Sequence, residues 1–175
     1  ATQIETQVRL ASAYGTSGND PAAFDAAEQA HRLAQDFGDP LHLGHAHYAR
    51  GRVAIWQDRL DDAQTHLNLA AEALAEDNIG LAHVARWLGY THSYQGDLQA
   101  AETHNLKALS LFRLIDDPTG VAAVLAALAT LDLVWGRAEE AEGRYHEAME
   151  IMEEAGELGQ IATLHGHLGN CHYDA

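Results

Sequence analysis

Apolar residues along this chain recur at intervals of three and four rather than two, and Ala and Leu outnumber the β-branched residues, so the pattern predicts helices and no strands. Breakers stand where those helices should stop. Gly38-Asp39-Pro40, Asp77-Asn78, Asp116-Asp117-Pro118 and Gly156 divide the chain into larger units, and Gly96-Asp97 and Gly136-Arg137 divide two of those units in half. Pro40 and Pro118 suit a helix start, where the first turn does not need the missing N–H. The helices expected are roughly 4–16 and 21–37, 41–56 and 60–76, 80–94 and 98–114, 119–135 and 138–155, with a last one from about 159. Short connections make them helical hairpins. In the first hairpin, Gly15-Thr16-Ser17-Gly18-Asn19-Asp20-Pro21 is expected to stretch the turn.

The hairpins repeat one phrase. Leu88, Gly89, Tyr90 and Tyr94 lead into Gly96-Asp97-Leu98, followed by Ala101, Glu102, Lys107, Ala108 and Leu109. Leu128, Ala129, Gly136, Arg137, Ala138, Ala141, Glu142, Ala148 and Met149 stand in the same order downstream, and Gly51, Trp56, Leu60, Ala63 and Ala70 upstream. Paired alanines seven residues apart set the register at Ala27/Ala34, Ala63/Ala70, Ala101/Ala108 and Ala141/Ala148, giving copies spaced by 36, 38 and 40 residues. Seven residues is close to two helical turns, so each pair shares a face and leaves room for a neighbouring helix. Such units bury their apolar faces on one another. The whole of 1–175 therefore reads as a single domain of repeats at about 4–38, 41–78, 80–117 and 119–157, with a half repeat at 159–175. The absence of an initiator Met and the stop within that half repeat lead us to expect a piece of a longer protein.

Charge narrows the partners. The formal net charge is −16, from 26 acidic residues against 10 basic ones. Such a field repels phosphate backbones and anionic lipid, so neither nucleic acid nor membrane is expected as a direct partner. The longest uncharged apolar passage, Pro118 to Leu131, is shorter than the roughly 20 residues that span a bilayer. The acidic crowd from Glu139 to Glu157 reads as a solvated outer face. A lone Cys171 rules out an internal disulfide and is compatible with a reducing, cytoplasmic setting. The twelve histidines, notably His42, His45 and His47, lack the ligand spacing of a recognised zinc site, so no metal and no cofactor is expected. Neither a Gly-rich phosphate loop nor a nucleophile elbow is present, and no catalytic residue is assigned.

Leu88-Gly89, Gly96-Asp97-Leu98, Ala101-Glu102 and Lys107-Ala108-Leu109, followed by Asp117-Pro118, resemble the tetratricopeptide repeat (TPR) in its longer-helix variety. The resemblance implies an all-α TPR-type α-solenoid, a right-handed superhelix of antiparallel helix pairs whose first helices line a concave groove. It also implies a non-catalytic scaffold that binds protein or peptide segments, as in the regulatory or sensory modules of larger bacterial signalling and transcription-control proteins. Carried onto this chain, the groove residues are His45, Tyr48, Arg52 and Trp56, then His83, Arg86, Tyr90 and Tyr94, then Ala126, Thr130 and Leu133, then Gly166, Asn170 and Tyr173. Arg52 and Arg86 stand out in so acidic a protein, since together they suit a carboxylate or a phosphorylated side chain. The Lys/Asn set that grips a C-terminal carboxylate in chaperone-binding TPR domains is absent. The alternative expectation is self-association into a homodimer through the unfinished repeat, with Leu164, Leu168 and Cys171 exposed at its edge.

Overall fold

The computed structural model describes residues 1–156, which form four antiparallel helical hairpins. These are α1 (Thr2–Thr16) with α2 (Asp20–Phe37), α3 (Pro40–Trp56) with α4 (Leu60–Ala73), α5 (Asn78–Gln95) with α6 (Leu98–Leu114), and α7 (Pro118–Val134) with α8 (Ala138–Ala155). The half repeat at 159–175, the edge expected to self-associate, and Gly166, Asn170 and Tyr173 lie outside the described residues. Each hairpin packs on the next. First helices also touch one another, α1 on α3, α3 on α5 and α5 on α7, whereas neighbouring second helices do not pack to a comparable extent. The all-α solenoid therefore curves toward its first helices, which form the inner wall.

Local chemistry explains where the helices begin. Asp39, Asp77 and Asp117 each cap the first helix of a hairpin by accepting a backbone N–H, from His42, Ile79 and Gly120 respectively. Between the two helices of a hairpin, one turn serves all four copies. A left-handed residue (Gly18, Asp58, Gly96 or Gly136) precedes the N-cap (Asn19, Arg59, Asp97 or Arg137), whose carbonyl accepts from an alanine N–H four residues on. Those alanines are Ala23, Ala63, Ala101 and Ala141.

This geometry corrects the first copy. Its turn is not stretched, because α1 runs on through Thr16 and Gly18 takes the left-handed place that Gly96 takes later. The small residues in register are Ala23 and Ala30, not Ala27 and Ala34, so the intervals become 40, 38 and 40 residues. Ala23, Ala30, Ala63, Ala70, Ala101, Ala108, Ala141 and Ala148 are all 0% exposed. The slip has a physical cause. Four buried positions recur in every copy, two of them these alanines, and the other two hold Leu67 and Leu74, Asn105 and Phe112, or Tyr145 and Met152. In the first copy Ala27 and Ala34 fill these places too, so alanine spacing alone cannot choose between two registers one turn apart. The short interval arises because α4 ends at Ala73 rather than 76, and Leu74 then turns into the core.

Candidate ligand-binding groove

The inner wall carries two adjoining cavities. The smaller, about 420 Å³, lies where α1, α3 and α5 meet and is lined by Val8, Ser12, Tyr48, Arg52, Trp56 and His83, among others. The larger, about 650 Å³, lies over α5 to α7 and is lined by Arg86, Trp87, Tyr90, Tyr94, Asn105 and Thr130, together with small and aliphatic groups such as Ala123, Ala127, Leu131 and Val134. Of the fourteen residues expected in a groove, eight line one or other cavity. His45 does not. It sits at the edge of the wall and faces Asp77, with Nε2 3.4 Å from the carboxylate. Asn170, like Gly166 and Tyr173, is outside the described residues. On α7 the lining falls to Ala123, Ala127 and Val134 and not to Ala126 or Leu133.

Arg52 is the centre of the smaller cavity. Its guanidinium lies 4.7 Å from the Trp56 ring, 5.0 Å from Trp87 and 5.7 Å from Tyr48, and Nη1 donates to Ser12 Oγ at 2.7 Å. Its Nε is buried with no acceptor. Trp87 fixes this box by donating from its indole N–H to the Tyr48 hydroxyl at 3.1 Å. Trp56 is half-buried because it lies flat on α1. A Cβ on Gly15 would come within 1.8 Å of its ring, so only glycine admits this contact. Trp56 is thus a wall of the site and also the seal between the first two hairpins.

Arg86 also lies against Trp87, 4.9 Å from its ring, and is partly buried. Burial and the nearby Arg52 both lower its pKa from the usual guanidinium value, although an arginine remains charged throughout the accessible pH range. His83 completes the cluster. Burial, then the charges of Arg86 and Arg52, lower its pKa below the ordinary histidine value, against the smaller pull of Asp117 and Asp77. Among the described residues no carboxylate lies within ion-pair distance of Arg52 or Arg86, nor of the exposed Arg9 and Arg32, while Arg50, Arg59, Arg113, Arg137 and Arg144 each have at least one. Two concentrated positive charges are therefore left open on the inner wall.

The mouth of the larger cavity is aromatic. Tyr90 and Tyr94 stack at 4.4 Å, and Tyr94 is 63% exposed. Thr130 is less available than its position suggests, because its hydroxyl meets the Ala126 carbonyl at 3.0 Å and the Tyr145 hydroxyl at 3.1 Å. Asn105, only 2% exposed, forms part of the cavity wall against Gly89, and its Oδ1 has no partner. Sequence reasoning missed Trp87 and Asn105. Trp87 stands beside the Leu88-Gly89 packing residues and reads as core. Asn105 carried a usable signal, a carboxamide in a position that is Leu67 or Tyr145 in the adjacent copies.

With this geometry in view, comparison with known proteins defines the class. The tetratricopeptide repeat sequence model matches residues 80–154, the third and fourth hairpins. The fold is similar to that of BtubC (BKLC) from P. vanneervenii, with a TM-score of 0.78 at 20% identity, covering 98% of this chain and 73% of that one. It is also similar to aspartyl phosphate phosphatase F from Bacillus subtilis, with a TM-score of 0.80 at 14% identity, covering 93% of this chain and 44% of that one. No curated protein matches the sequence. Residues 80–154, α5 to α8, thus carry the tetratricopeptide repeat, and the described chain as a whole shares the helical-repeat fold of these two structures.

Proposed function

We propose that the inner wall binds a protein or peptide segment, and that the chain serves as the regulatory or sensory module of a larger, cytoplasmic bacterial signalling or transcription-control protein. It is read as a binding module and not as an enzyme. The observation that carries the reading is the pair of arginines without carboxylate partners, held among Tyr48, Trp56 and Trp87 on the inner wall of a protein whose net charge is −16. A protein this acidic had many carboxylates with which to neutralise them. Charged guanidinium groups stacked on rings and open on one edge are the chemistry of a recognition surface. The family supports the same reading, because each repeat contributes surface to a continuous groove.

The test is selection of a phage-displayed random peptide library on the chain, with an Ala127→Trp variant in parallel. Ala127 lines the larger cavity, so an indole there fills the groove. Peptides should be enriched on the parent and lost on the variant, with circular dichroism and melting temperature showing that the variant still folds. Peptides that bind both chains equally would move binding off the inner wall and refute the proposal.

A further inference from the structure

We propose that the segment bound in this groove carries an internal Asp or Glu whose carboxylate lies between Arg52, Arg86 and His83, with a large apolar side chain a few residues away filling the cavity over α5 to α7. This rests on the reading of the inner wall as a peptide groove and adds the chemistry of its occupant.

The anion follows from charge. Arg52 and Arg86 stand on neighbouring first helices, both against the Trp87 ring, close enough that Arg52 lowers the pKa of Arg86. Rings cover the Arg52 guanidinium, and Ser12 takes one of its N–H groups. What remains is the edge in the guanidinium plane, where Nε is buried without an acceptor and becomes available to a ligand when a neighbouring side chain shifts. A planar two-oxygen acceptor fits such an edge bidentately. The surrounding field of a −16 protein opposes each negative charge brought to the wall, so it costs a dianionic phosphate about twice what it costs a carboxylate.

Position makes the anion internal to the segment. Arg52 lines the smaller cavity and Arg86 the larger, so the cationic centre lies between two openings and not at a closed end. A segment lying along the wall continues in both directions past this point. On one side it meets the apolar cavity formed by Tyr90, Tyr94, Ala127, Leu131 and Val134. At about 650 Å³, that cavity is large enough for an aromatic or long aliphatic side chain.

His83 links binding to protons. The groups facing it are Arg86 on its own helix, Arg52 and Tyr48 from α3, the Phe112 ring from α6, and the caps Asp77 and Asp117. In the free protein, burial and the two arginines favour neutral imidazole. A carboxylate placed among them offsets both arginines and favours imidazolium, so the complex takes up a proton and affinity rises as pH falls.

The experiment uses the tightest peptide selected on the parent chain, synthesised with both ends blocked, and isothermal titration calorimetry. The peptide should contain an acidic residue near an aromatic or long aliphatic one. Changing its acidic residue to Gln or Asn should weaken binding about tenfold to a hundredfold, the range expected for hydrogen bonds to a charged group. Arg86→Gln in the protein should weaken the acidic peptide and leave the neutral one unchanged. Affinity should rise from pH 8 to pH 6, and His83→Gln should flatten that rise. Selected peptides without acidic residues, or an acid-to-amide change with less than a twofold effect, would overturn this inference while leaving a peptide groove intact. Tighter binding of a phosphoserine peptide, or of one whose only carboxylate is its free C-terminus, would overturn the internal carboxylate. Failure to enrich any peptide that Ala127→Trp excludes would remove both readings.

Discussion

Three imidazoles from three helices meet between the first two hairpins. The His31 and His47 rings are 4.8 Å apart, those of His47 and His66 are 5.5 Å apart, and the Nδ1 atoms of His47 and His66 approach to 3.3 Å. That contact needs one nitrogen to donate and the other to accept, so the accepting ring is neutral and the two are not protonated together. Burial first, then His31 and His66, lower the His47 pKa to about 4, with Arg50 adding to the effect. Arg50 is itself held at 2.8 Å by Glu28. Because the folded pKa lies below the unfolded value, the unfolded chain binds more protons once pH drops under about 6.5, and folding stability falls from there toward pH 4. Thermal melts should therefore show a lower melting temperature at pH 5 than at pH 7, and His47→Gln should reduce the difference. An unchanged pH dependence in that variant would exclude His47 as its source. His42, His45 and His47 look like one cluster in the sequence, yet they separate in space: His42 pairs with the Asp39 cap, His45 faces Asp77 and His47 joins the triad.

At the scale of the element, the hairpin is set by a left-handed residue, a cap, and a small residue four positions beyond the cap. Any larger group at that small position has to displace the facing helix. Ala101→Leu should cost about 1–3 kcal/mol through overpacking, and Ala23→Leu should cost a similar amount because it holds the same place in the first copy. Chemical denaturation of the two variants gives the comparison. If Ala23→Leu kept parental stability, the first hairpin would not share the register of the others. The same logic explains why the short second copy does not disturb the groove. Its two missing residues come from the outer end of α4, whereas Tyr48, Arg52 and Trp56 stand on α3.

The molecule as a whole combines a strongly acidic surface with a cationic inner wall. No helix among the described residues is long and apolar enough to cross a membrane. At a net charge of −16, self-repulsion opposes the folded state, and screening it should raise the melting temperature between 20 and 300 mM NaCl, as roughly expected from Debye lengths that shrink from tens of ångströms to a few. A fall over that range would mean that surface pairs such as Arg113 with Glu147, at 2.6 Å, outweigh the repulsion. Much of this was legible in the residues. Helical period, capping Asp and Pro, and recurring small residues depend on neighbours within a turn or two, so the sequence by itself determined eight helices to within a few residues and their pairing into hairpins. The resemblance to the repeat family also put Arg52 and Arg86 on neighbouring first helices, α3 and α5. Only the tertiary structure decided the register of the all-alanine first copy, the loss of His45 from the site, the roles of Trp87 and Asn105, and the use of Gly15 as the seat of Trp56. Each of these depends on groups that are distant in the chain and adjacent only after the hairpins stack, and local pattern carries no term for such contacts.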